Sequence, residues 1–173
     1  MNNSIDEVRD QIFQFCESKQ YSAAREFFNV KLGEGILNAS NAEHLLWQSS
    51  IEGLSGNLQL AKQLLCLARK YDPNCSAVLF ALARSFMKLN QFGDCAQALV
   101  KLLEIEKRSN ESYFSESAQF YLAVAYLNLK DKNNFYREVS SVDGAYSEWR
   151  NGKLYSKKMM LEEAGHTFGE FGQ

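Results

Sequence analysis

One proline, Pro73, stands in 173 residues. Proline lacks a backbone donor and turns its predecessor away from helical angles, so a chain with a single one has few enforced helix breaks. Long apolar runs are missing too. None approaches the roughly 18 residues that a spanning helix needs, so membrane insertion is not expected. The opening "MNNSIDEVRDQ" lacks the basic start and apolar core of a secretory signal, which predicts that the chain stays in the cytoplasm where it is made. No sign of charge dominates: 19 basic and 21 acidic residues leave a net charge of −2. That balance offers no electrostatic reason to expect nucleic acid or an acidic membrane surface as partner. Histidine is scarce. Cys16, Cys66, Cys75 and Cys95 form no CxxC pair and no disulfide-rich spacing, and neither His44 nor His166 joins them at ligand spacing. They read as reduced thiols, with no metal and no other cofactor expected.

Catalytic motifs are absent as well. There is no phosphate loop, nucleophile elbow, HExxH or paired-carboxylate cleft. "GEG" at 33–35 lies between helical patterns rather than after a strand, so it is not a dinucleotide fingerprint. The basic–aromatic stretches "YSKKMM" (155–160) and "NNFYRE" (133–138) read as solvated helix faces rather than nucleic-acid contacts. Enzymatic activity is not expected.

What the chain does have is helical periodicity. Before the proline, Leu58, Ala61, Leu64, Leu65 and Ala68 share one helix face, and Asp72 to Asn74 make a turn. After it come two more helices with "LNQFGD" between them, and Ser76 as a candidate cap of the first. The pattern then recurs. "FALARSFMKLNQF" (80–92) and "FYLAVAYLNLKDK" (120–132) superimpose without gaps at an offset of 40. Ala61, Leu65 and Ala68 match Cys95, Leu99 and Leu102 at an offset of 34. Tyr21, Ala24 and Phe28 repeat the large–small–large spacing after a helix carrying Val8, Ile12 and Phe15.

A period of 34 marks stacked helical hairpins. The sequence resembles the tetratricopeptide repeat (TPR) family. The repeat from Ser76 carries Leu79, Leu82, Ala83, Phe86, Cys95 and Leu99, then departs with Leu102 and Lys107. The repeat from Ala42 carries Leu45, Ala61, Leu65, Ala68 and Pro73, but has Gln48, Ser49 and Glu52 where Leu, a small residue and an aromatic are usual. The repeat from Glu116 has Gln119 at a large position, keeps Leu122, Ala123 and Tyr126, and places Phe135 where a small residue belongs. The resemblance implies an all-α, right-handed solenoid. Its four hairpins would fall at about 5–38, 42–75, 76–109 and 116–143, followed by a capping helix at 144–165 and a mobile tail at 166–173. In such a fold Cys95 is a packing residue. Pro73 falls where one repeat stops and the next begins. "VKLGEGILNASNAE" (30–43) is expected to be the longest loop, and "KRSNES" (107–112) accounts for six extra residues.

The first helix of each repeat lines a concave groove in this family. The usual register puts Arg9, Phe13, Leu46, Phe80, Arg84, Met87, Lys88, Phe120, Val124 and Leu127 along it. Most are apolar, and a contiguous apolar stripe marks a partner surface. Arg84 and Lys88, one turn apart, are placed to hold an acidic or carbonyl group. The expected function is protein–protein interaction, as an adaptor or chaperone binding a protein segment in that groove. Arg9, Phe13, Ala77 and Ala81 stand where some members clamp a C-terminal carboxylate with Lys and Asn, so that clamp is missing. Three alternatives stay open. One is a bacterial secretion chaperone, by likeness to those of type III translocators. Another is an immunity-type inhibitor with one dedicated partner. The third is a homo-oligomeric structural subunit whose groove is filled by its own C-terminal helix.

Overall fold

The computed structural model describes residues 4–150 and 152–169, without the side chains of residues 149 and 150. Eight helices come first: α1 (Ile5–Glu17), α2 (Tyr21–Gly33), α3 (Ala42–Leu54), α4 (Leu58–Tyr71), α5 (Ser76–Lys88), α6 (Phe92–Ser109), α7 (Ser115–Asn128) and α8 (Lys132–Ser141). A two-stranded hairpin, β1 (Ser147–Arg150) and β2 (Lys153–Ser156), and a last helix, α9 (Lys157–Thr167), follow. The fold is an all-α repeat of helical hairpins with one small sheet.

Local chemistry explains the helix ends. Ser4 and Glu7 form a reciprocal capping box, with the Ser4 hydroxyl accepting from the Glu7 amide at 3.3 Å and the Glu7 carboxylate accepting from the Ser4 amide at 3.0 Å. Such a cap contributes about 1 kcal/mol. A three-residue link joins α1 to α2, α3 to α4, α5 to α6 and α7 to α8. Its middle residue is left-handed each time: Lys19 (φ 57°), Gly56 (φ 94°), Asn90 (φ 57°) and Lys130 (φ 59°). The repeat is thus written in the backbone as well as in the side chains. Pro73 lies between α4 and α5, where the Asp72 carboxylate accepts from the Asn74 amide at 3.1 Å. The N-cap of α5 is Cys75, not Ser76, and it makes no side-chain cap.

The chain forms two compact units, Met1–Leu89 and Asn90–Gln173. In the first, α1 packs on α2 and α3, and α3 packs on α4 and α5. Val8, Ile12, Ala24, Phe28, Trp47 and Ile51 belong to one buried cluster. Each large side chain buried there contributes about 1.5–3 kcal/mol. A Cβ on Gly53 would lie 3.6 Å from that of Ala61, the close α3–α4 approach that small residues permit. The link expected as a loop from residue 30 is shorter, because α2 continues to Gly33. Leu37 is buried in it, and the buried His44 ring accepts the Asn38 amide at Nδ1, 2.8 Å away.

In the second unit α7 is central, packed by α6, α8 and α9. A helix was expected to run from 144 to 165. Instead the hairpin occupies 147–156 and the helix begins at Lys157, capped by Ser156. Gly152 adopts φ 76°, which a glycine takes without strain and a helix does not use. The register pairs Glu148 with Tyr155 and Trp149 with Leu154. Of the tail expected at 166–173, His166 and Thr167 are helical, and residues 170–173 lie outside the described residues.

Candidate functional site

On α1, α3 and α5 the predicted inward register brings several residues to one cleft in the first unit. It holds about 250 Å³. Phe13 from α1, Ser50, Gly53 and Leu54 from α3, and Arg84 and Lys88 from α5 line it, with Leu58 and Ala61 of α4 behind. Phe13 is 37% and Leu54 53% exposed, so their apolar surface faces solvent. Arg84 and Lys88 are exposed and form no ion pair or hydrogen bond among the described residues. Lost hydration at its ammonium, helped by the adjacent Arg84 charge, pushes Lys88 below the usual lysine range. The opposite charge of an incoming carboxylate would favour the ammonium and so act against both effects.

A second cavity, of about 590 Å³, lies nearer the N-terminal ends of α3 and α5. Glu43, Leu46, Trp47, Tyr71, Asp72 and Ala77 line it. Leu46 is half-buried here. Arg9 is not free to serve as a groove cation. It pairs with Asp6 at 3.0 Å and donates to Asp10 at 3.0 and 3.1 Å, and those contacts with Asp10 raise its pKa, with Asp6 and Glu43 adding to the effect. Phe80 is half-buried, and Met87 is buried at 9% exposure.

The three groove residues expected from α7 are placed differently. Phe120 and Val124 are 0% and Leu127 is 2% exposed. Phe120 meets Tyr146 and Tyr155 edge-on, at centroid separations of 5.4 and 6.1 Å. The Tyr146 hydroxyl donates to Glu148 at 2.6 Å and shares a 2.5 Å hydrogen bond with Ser117. Burial and the Glu148 carboxylate push Tyr146 up to about 12, so its proton stays in place. The Tyr155 hydroxyl donates to Glu163. Tyr146 and the hairpin that follows it therefore cover α7 at Ser117 and Phe120, and Phe120 is core. Periodicity marks Phe120 as inward in its repeat but does not reveal that another segment lies over it.

Two buried carboxylates were not legible as such. Glu52, at the usual aromatic position, is 4% exposed and accepts from Arg25 at 2.6 and 3.0 Å and from Asn57 at 2.7 Å. Arg25 also donates to Ser55 at 2.6 Å. The Arg25 contact holds Glu52 below the ordinary 4.5, with Asn57 assisting against burial. Glu106, 1% exposed, accepts from the Phe114 amide at 2.9 Å and the Ser115 hydroxyl at 2.6 Å, tying α6 to the start of α7 across the "KRSNES" insertion. Both are fully partnered and structural. Among the described residues no group of three or more His, Cys, Asp or Glu is placed to hold a metal ion, and no helix is long and apolar enough to cross a membrane.

No protein-family model matches the chain, and no curated protein matches it in sequence. Solved structures do match in fold. The TPR-like repeats of a Podosopora anserina kinesin light chain superpose with a TM-score of 0.70 at 15% identity, over 99% of this chain and 90% of that one. A crystal structure of MamA gives 0.60 at 12% identity, over 97% and 80%. A second MamA structure gives 0.59 at 12%, over 95% and 73%. At such identities the likeness speaks for fold alone, and that fold is the TPR-type repeat of helical hairpins.

Proposed function

We propose that the protein is a non-catalytic protein–protein interaction module, an adaptor or chaperone, that binds a segment of another protein on the exposed face of α1, α3 and α5. The observation that carries this reading is the cleft itself. Phe13 and Leu54 expose apolar surface beside Arg84 and Lys88, cations without an ion pair among the described residues, on the register that this fold turns toward ligands. Assigning the partner to the first unit is supported by α7, where Tyr146 already covers Phe120 and Val124 and Leu127 are buried. The working compartment in this reading is the cytoplasm.

The test is affinity capture from the native host with wild type and with Phe13→Glu plus Leu54→Glu. Both side chains are exposed, so the fold survives the change. Loss of a specifically captured protein supports the reading, and unchanged capture removes it. A second reading, a self-assembling structural subunit, draws on the hairpin covering α7. It predicts a native mass above one chain that falls to one chain when residues 144–173 are deleted.

A further inference from the structure

We propose that the cleft face of α3 and α5 takes an extended segment with charges at fixed ends: a basic side chain beside Glu43 and Asp72, an acidic one beside Arg84 and Lys88, and apolar residues between. This rests on the reading above that the face binds a protein segment.

The two cavities lie along the same two helices. On α3 the N-terminal one ends at Leu46 and Trp47, and the other begins at Ser49 and Ser50. On α5 the first includes Ala77 and the second starts at Ala81. Leu46 to Ser50 and Ala77 to Ala81 are each about one helical turn, so the cavities form one track. From Glu43 to Leu54 the rise is about 16 Å, the length of about five extended residues. Small residues at Ser50, Gly53, Ala77 and Ala81 let a polypeptide backbone come close, while Phe13, Leu54 and Leu58 take apolar side chains. A small free anion would leave those apolar walls uncovered.

The charges sit at opposite ends of the track. Glu43 is in the first turn of α3 and Lys88 in the last turn of α5, where each complements its helix dipole. Dipole compensation requires neither a cavity beside the charge nor that Arg84 and Lys88 lack a carboxylate partner among the described residues. At the acidic end Arg9 interacts with Glu43 through space, but its ion pairs are with Asp6 and Asp10, so two carboxylates against this track, Glu43 and Asp72, have no ion pair of their own among the described residues. A segment with the complementary order is steered into one direction, and the reverse order meets like charge at both ends.

The test pans a phage-displayed random dodecapeptide library on the full chain. Supporting sequences carry Lys or Arg and Asp or Glu four to six residues apart, in one order, with apolar residues between. Arg84→Glu plus Lys88→Glu then weakens an enriched peptide at least tenfold, and exchanging its acidic residue for Lys restores binding. Enriched apolar peptides without charge order, lost in Phe13→Glu plus Leu54→Glu, overturn this proposal and leave the interaction reading standing. No enrichment, or enrichment indifferent to every cleft variant, overturns both.

Discussion

Arg25 on α2 grips Glu52 on α3 through two contacts, Nε to Oε1 at 2.6 Å and Nη2 to Oε2 at 3.0 Å, across 27 positions of sequence. The Glu52 side chain is 5% exposed, so its charge has little water to fall back on. Arg25→Met strands that carboxylate with Asn57 and costs about 2–3 kcal/mol, less than a fully buried pair because Arg25 is 33% exposed. Adding Glu52→Leu removes the stranded charge and recovers part of the loss. Urea denaturation of the two variants measures both effects; equal stability of Arg25→Met and wild type would remove the role given to this pair.

The same pair gives an acid limb. Glu52 is held below 4.5 in the folded chain, so between the two values the unfolded chain binds more protons. Its contribution is fully present above about pH 4.5 and is lost as pH falls through the lower folded value. The stability gap between wild type and Glu52→Gln should therefore narrow below that pH in denaturation curves collected across the acid range.

Phe13 and Phe120 were both expected to face the groove but have different surroundings. Phe13 is 37% exposed, and Phe120 is fully covered by Tyr146 and Tyr155. Phe120→Ala should cost about 3–5 kcal/mol and Phe13→Ala less than about 1 kcal/mol. Thermal melts of the two variants separate a core residue from a surface one.

Burial pushes the Cys95 thiol up to about 12, and burial raises Cys16 as well. Both should resist alkylation in the native state, while the half-buried Cys66 and Cys75 label first. Mass spectrometry of peptides after timed iodoacetamide treatment reads the order. Rapid native labelling of Cys95 would contradict its packing on α6.

Gly56 turns the α3–α4 link at φ 94°, where an L side chain is strained. Gly56→Ala should destabilise by about 1 kcal/mol although no neighbour crowds the new methyl group. The shift in denaturation midpoint checks it, and the three matching links offer non-glycine controls.

Helices were legible because they are local. The predicted repeat beginnings at 5, 42 and 76 coincide with the first residues of α1, α3 and α5. The hairpin at 147–156 also had a local sign, the Asn151-Gly152 dipeptide between strand-forming residues, which is a strong turn signal. The helical spacing of the apolar Leu154, Tyr155 and Met159 competes with that sign, and a strand followed by a helix satisfies it equally. Glu52 read as a defect in its repeat because its partner lies 27 residues away. Nothing in a local window announces a carboxylate that needs a distant guanidinium.

By itself, then, the sequence determined the spacing of the repeats, the small residues at close helix crossings and the place where Pro73 must fall, since each depends on turns and faces within a few residues. Tertiary structure alone decided which inward positions stay open. Phe13, Arg84 and Lys88 line a cleft, while Phe120 packs under Tyr146 and Tyr155, which follow it in the chain, and Val124 and Leu127 are buried. Periodicity gives a side chain its direction, and only the segment packed above it sets its exposure.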